Sequence, residues 1–237
     1  CQPANEENKY FDLGLVQHQL ENVAREPDRK SGDIWYWGNY TPDYDYGLGS
    51  DHAMGFGGDA NTAVLLNFTT GEMVASHADN MLSPDLSAHE YARLGSEFGN
   101  CIWGWETNNE CGGTVTATVK QIGYPRMYQW EVKDTVSNVI SKRLGWQTNN
   151  KTKNQMLTAF RNDFNKGKLK IYDARLLKEM KAYTKSDAAE RTTGLATRHF
   201  DLLIAACIAN QMKGHAEGSS STKDFYANLE RKKRVRR

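Results

Sequence analysis

Two apolar runs, Thr62–Phe68 and Glu72–Ala78, are separated only by Thr69-Thr70-Gly71. Runs of this length joined by a glycine-containing turn fold back on each other as a hairpin. Upstream, Tyr44, Tyr46 and Leu48 alternate with Asp45, Gly47 and Gly49, which is the period of a strand. That run ends at Asp51 and is followed by the turn Gly55-Phe-Gly-Gly58. Three consecutive antiparallel strands are therefore expected. Such a meander needs a packed face to be stable, so the elements that follow must cover it.

Those elements are legible. Ser83-Pro84-Asp85 places a capping Ser, a first-turn Pro and an acid at a helix start. The helix should run to about Phe98, with Leu86, Tyr91 and Leu94 buried. Cys101–Trp105 reads as a short strand ending at Glu106, and Asn108–Gly113 as a loop into a helix near Thr114–Ile122. Gly123-Tyr-Pro turns into a strand at Met127–Val132. The order β-β-β-α-β-α-β predicts an α/β fold, a mixed sheet with helices on both faces. Residues 133–149 show no assignable period.

The C-terminal part is helical in pattern. Asn150–Lys166 is amphipathic, with Met156, Leu157, Phe160 and Phe164 on one face. Leu169–Tyr172 is strand-like, Asp173–Tyr183 helical and Ser186–Gly194 a loop. Arg198–Met212 is the final helix, burying Leu202, Leu203, Ala206, Ile208 and Ala209. Residues 1–34 are polar, with one helix at Leu13–Val23, and are expected as a linker or peripheral segment. Residues 35–213 should form one domain, and 214–237 a flexible tail ending in Arg231-Lys-Lys-Arg-Val-Arg-Arg237. No internal repeat is present.

Charge is divided along the chain. The 237 residues carry a net charge of +1, but residues 1–110 hold 18 acids and 5 bases, and residues 111–237 hold 11 and 25. The balances are −13 and +14, a split suited to an acidic metal centre beside a phosphate-binding surface. A hydrophobic content of 39% excludes collagen-like and wholly disordered chains. No apolar run is long enough to span a bilayer and no signal peptide is visible. Cys1, Cys101, Cys111 and Cys207 form no C-x-x-C pair, which argues against structural zinc and for a reduced compartment. The first residue is Cys1 rather than Met, as expected of a piece of a longer protein.

Three acids stand at element ends: Asp51, Glu106 and Asp201. Converging carboxylates raise each other's pKa unless a cation neutralises them, and such oxygen donors select Mg²⁺ or Mn²⁺. Two such ions about 4 Å apart suit phosphodiester hydrolysis. Taken singly, each acid reads as easily as a cap or turn residue. Lys151, Lys153, Arg161, Lys166, Lys168 and Lys170 surround one helix, either as a DNA-backbone track or as a solvated face. Asn108 and Asn109 could orient Glu106 or cap the next helix. Glu179 reads as a structural ion-pair member. No phosphate-cradling G-x-x-x-x-G-K-[ST] loop is present.

The surrounding words decide between these readings. Tyr46-Gly-Leu-Gly-Ser-Asp51-His-Ala-Met-Gly55, followed by Gly58-Asp59-Ala-Asn-Thr-Ala63, resembles the first acidic motif of the phage large terminase nuclease domain. Trp105-Glu106-Thr-Asn-Asn109 with Gly112 resembles the second, and His199-Phe-Asp201-Leu-Leu-Ile-Ala205 the third. Gly123-Tyr-Pro-Arg-Met-Tyr128, and Gly145-Trp-Gln-Thr148 with Thr152-Lys153, are similar to the family's intervening strand and turn. The resemblance covers about residues 35–212, in the family's order.

It implies an RNase H-like fold and metal-dependent cleavage of concatemeric double-stranded DNA in the host cytoplasm during genome packaging. Asp51, Glu106 and Asp201 would be the metal ligands, with Asp59 an additional or outer acid and His199 an auxiliary residue. Two Mg²⁺ or Mn²⁺ ions are implied. Lys151, Lys153, Arg161 and Lys168 would contact DNA. The implied partners are the portal ring, the small terminase subunit and an ATPase domain. Two residues depart from the pattern. His52 stands where the family has Pro, as a phosphate contact or a surface residue, and Phe200 stands where it has the first of two aspartates. Phe200 leaves open a catalytically weak docking module, and the fold leaves open a resolvase.

Overall fold

The computed structural model describes residues 6–108, 110–133, 140–189 and 199–216. The turn at Thr69-Thr70-Gly71 forms as the sequence predicts. Asn67 Oδ1 accepts the Thr69 and Thr70 backbone N–H groups at 2.9 and 3.1 Å. Gly71 takes φ 77°, where a Cβ would be strained. The strands are β1 (Arg29–Ser31), β2 (Ile34–Tyr36), β3 (Tyr46–Asp51), β4 (Asn61–Asn67), β5 (Met73–Asp79), β6 (Ile102–Trp105), β7 (Gln129–Lys133) and β8 (Ile140–Leu144). The helices are α1 (Leu13–Asn22), α2 (Pro84–Glu97), α3 (Glu110–Ile122), α4 (Asn150–Asn165), α5 (Ala174–Ala182), α6 (Lys185–Ala189), α7 (Asp201–Gln211) and α8 (Lys213–Ala216).

Six strands form one mixed sheet in the order β1-β2-β5-β4-β3-β6. Its pairs are antiparallel except β3 with β6. β5 and β6 therefore point the same way, and α2 makes the crossover that parallel strands require. β4 is buried along its whole length because both sheet faces are covered. Val64 and Leu66 join one core with α1, α4, α5 and α7. Ala63 and Leu65 join the other with α2 and α3. The two-residue period of a strand thus feeds both layers.

Several expectations are corrected. Residues 6–34 are built in rather than tethered outside: Phe11 and Val16 enter the core, and β1 with β2 extends the sheet. Leu86 is 52% exposed, while Tyr91 and Leu94 fill the face beneath α2. Ser83 sits at the N-cap of α2, but its hydroxyl donates to Asp85 instead of capping. The Met127–Val132 strand shifts to β7 and leaves the main sheet to pair with β8, which arises within the unassigned 133–149 stretch. Met127 itself bridges Trp103 of β6. The loop expected at Ser186–Gly194 begins inside the short α6. α3 begins earlier than expected, and the basic tail beyond α8 lies outside the described residues. Cys101, Cys111 and Cys207 are buried and free.

Candidate metal centre

The parallel β3–β6 pair places two acids side by side. Asp51 ends β3, and Glu106 follows β6 with its N–H donating to Ser50 O at 3.0 Å. The third acid arrives on α7. Gly49 makes this possible, because a Cβ there would stand 2.1 Å from Ala205 O and 2.3 Å from Ala209 N. The α7 backbone therefore lies directly on β3, and its first residue, Asp201, comes to the acid-bearing end. Thr62, opposite Asp51 in the sheet, donates its hydroxyl to Asp201 O at 2.9 Å. The Ala60 N–H donates to Asp201 Oδ2 at 3.0 Å.

The electrostatics match a crowded site. Burial pushes the Asp51 carboxyl well above the usual range, and the charge of Glu106, a hydrogen bond with it, and the charge of Asp201 push it further. Burial also raises Asp201, with Asp59 adding to the rise and the Ala60 N–H opposing it. Crowding by carboxylates and burial favour the protonated form of Asp51. Among the described residues, no group of three or more His, Cys, Asp or Glu side chains is arranged to hold a metal ion as it stands. The donors themselves are hard carboxylate oxygens, the chemistry that suits a divalent cation displacing that proton. Asp59 is 57% exposed at the rim, its Oδ1 2.6 Å from His199 Nδ1.

Two neighbours differ from expectation. His52 is neither on the surface nor poised for phosphate. Its ring is buried, with Nε2 2.9 Å from Ser50 Oγ and Nδ1 2.9 Å from Ser87 Oγ. Burial drives its pKa down to about 3, so it is neutral. Among the described residues Glu179 forms no ion pair. Phe200, at the N-cap of α7, has no side-chain acceptor and packs edge-on against Tyr183, centroids 4.8 Å apart. Glu179 of α5 replaces that acceptor: its Oε2 takes the Leu203 N–H at 2.9 Å. Burial raises its pKa to about 8. The signal was the spacing of Leu176, Glu179 and Tyr183, one apolar stripe interrupted by an acid.

The basic residues are dispersed. Lys153 Nζ donates to Asp187 O at 2.9 Å, and Arg161 lies 4.5 Å above the Tyr10 ring. Lys168 Nζ is 3.7 Å from Asp163. Lys151 is exposed at the first turn of α4, about 21 Å from the far end of that helix, where Lys168 follows. Asn108 is bonded to the backbone of Thr148, accepting its N–H at 2.7 Å, and so ties Glu106's loop to the turn before α4. Asn109 lies outside the described residues.

No family model and no curated protein matches the sequence. Solved structures do match in shape. The large terminase nuclease from thermophilic phage G20c with bound magnesium aligns at TM-score 0.63 and 17% identity, covering 88% of this chain and 98% of that one. The Thermus phage P74-26 large terminase nuclease domain aligns at 0.59 and 16%, covering 83% and 94%. The chain has the terminase nuclease fold. The G20c terminase nuclease has also been solved with bound cobalt, aligning at 0.62 and 17% over 88% of this chain and 98% of that one. The RNase H-like, mixed-sheet architecture expected from the sequence is thereby confirmed. No helix among the described residues is long and apolar enough to cross a membrane.

Proposed function

We propose that the chain is a divalent-cation-dependent endonuclease that cuts concatemeric double-stranded DNA during phage genome packaging. The observation that carries this reading is the convergence of Asp51, Glu106 and Asp201 at one end of the β3–β6 pair, in a terminase nuclease fold. Asp51, Glu106 and Asp201 would hold magnesium or manganese, with Asp59 at the rim. One ion or two would supply the positive charge that activates water and stabilises the leaving oxygen.

The chain's own groups prepare that site. Asp51 would give up the proton that burial and its acidic neighbours favour. Ala60 N–H and the Thr62 hydroxyl hold Asp201 in place. His199, fixed by Asp59, is an auxiliary proton carrier at the mouth. Lys151, Lys153, Arg161 and Lys168 would meet the phosphate backbone, which positions DNA without reading sequence. The portal ring, the small terminase subunit and an ATPase domain, in the host cytoplasm, are the partners this reading implies.

The test is nicking of supercoiled plasmid in Mn²⁺. Asp51→Asn and Asp201→Asn should each reduce cutting to background while the fold survives. Undiminished cutting by both variants would sink the site assignment. A second reading, a docking module without catalysis, is favoured by the lack of a ready three-ligand group among the described residues. Calorimetry that finds no Mn²⁺ binding at millimolar metal selects it.

A further inference from the structure

Residues 53–58, between β3 and β4, are not used by the chemistry above, yet they carry the most exposed large apolar side chain described. Phe56 is 85% exposed, Met54 on the same loop 48%, and Met81 on the neighbouring turn 70%. The loop is held in place. Gly57 N–H donates to Asn80 O at 2.9 Å, and Gly55 lies so close to the next turn that a Cβ would stand 2.2 Å from Leu82 O. That turn is itself fixed by Asp79, whose Oδ1 accepts the Met81 and Leu82 N–H groups at 2.7 and 2.6 Å. Gly55 and Gly57 have φ of 78° and 82°, so two glycines in left-handed conformation present one aromatic ring outward.

Behind the ring is a cavity of about 300 Å³ lined by Met54, Phe56, Asp59 and Cys111 among others. Its walls mix apolar side chains with polar groups, and the Asp59 carboxylate stands among them. That pairing matches a nucleobase, which offers flat apolar faces and N–H donors along its rim.

We infer that the β3–β4 loop is a base-contacting wedge, in which Phe56 and Met54 stack against a nucleobase of the DNA held at the acidic centre. The inference rests on the nuclease reading and adds the contact that positions substrate there. Location argues for it: the loop leaves Asp51 and returns through Asp59, so DNA whose phosphate reaches the acids passes over Phe56. Size argues for it as well. A single ring between glycines is far narrower than a stable protein–protein interface, whereas apolar wedges of this kind enter base steps. Stacking of this sort tolerates any base, in keeping with a cutter of low sequence specificity.

The test uses the full chain and a short duplex, read by fluorescence anisotropy. Phe56→Ala should weaken duplex affinity about tenfold, with melting temperature and Mn²⁺ affinity unchanged. Phe56→Trp should keep the affinity and add a DNA-quenched component to the fluorescence of the six native tryptophans, read as the difference from wild type. Duplex affinity and plasmid cutting undiminished in Phe56→Ala overturn the wedge and leave the patch to a protein partner. The nuclease reading fails separately: wild-type chain that binds duplex through Phe56 but never cuts in Mn²⁺ refutes catalysis and leaves the wedge standing.

Discussion

Glu179 lies beneath the first turn of α7, where burial holds its carboxyl protonated up to a pKa of about 8 against an ordinary 4.5. Below 4.5 both folded and unfolded chains carry the proton, and the residue has no influence on pH dependence. Between 4.5 and 8 the unfolded chain releases a proton that the folded chain retains, so stability falls as pH rises and levels off above 8. Glu179→Gln has no proton to release. Its melting temperature relative to wild type should climb across that window, and a constant difference would show that Glu179 ionises in the folded state. The buried His52 bonded to Ser50 and Ser87 has the opposite sense: its depressed pKa withdraws stability as pH falls below 6.5. The apolar stripe of Leu176 and Tyr183 marks the face on which Glu179 lies, but not its partner, and a His after an acid reads as exposed. Only tertiary packing decides what lies over either residue.

The meander and its covering helices were legible because each carries a local instruction. Thr69-Thr70-Gly71 specifies the turn, and Asn149 with Thr152 forms a reciprocal cap that starts α4 where its apolar period begins. β7 and β8 lacked such instructions. Their strands alternate weakly and are fixed by pairing with each other, with Trp130 resting 6.3 Å from Trp146. The seating of α7 was equally hidden, since it depends on what Gly49 does not have. Gly49→Ala forces a methyl group into the α7 backbone, 2.1 Å from Ala205 O. The variant should lose about 1–3 kcal/mol in urea unfolding. It should also bind Mn²⁺ more weakly, because Asp201 moves with its helix. Unfolding and calorimetry on one preparation check both, and an unchanged midpoint would show that α7 is not seated on that strand.

The charge split along the chain becomes a split across the sheet. α2 and α3 carry four acids and two bases, whereas α4 and α5 carry six bases and two acids. The sheet separates these pairs, so one helical layer is acidic and the other basic. Under the proposed nuclease reading, the basic layer would supply affinity for DNA through counterion release. Lys151 is exposed on that layer. Lys151→Gln should reduce the slope of log affinity against log salt by about one, measured by duplex titration at several salt concentrations. An unchanged slope would place DNA elsewhere. The sequence proposes the three acids by their neighbours in the motifs, and it proposes the basic run as well. What it does not show is that Lys153, Arg161 and Lys168 each have a partner within the chain.

The seat for α7 also sets an order of events during synthesis. Asp51 and Glu106 leave the ribosome on strands that can pair at once, while Asp201 follows nearly a hundred residues later. Until then the glycine surface of β3 is bare. Under the proposed nuclease reading, competence would wait for α7 to be made and seated. A chain that stopped between Glu106 and α7 would carry two of the three acids and lack the third.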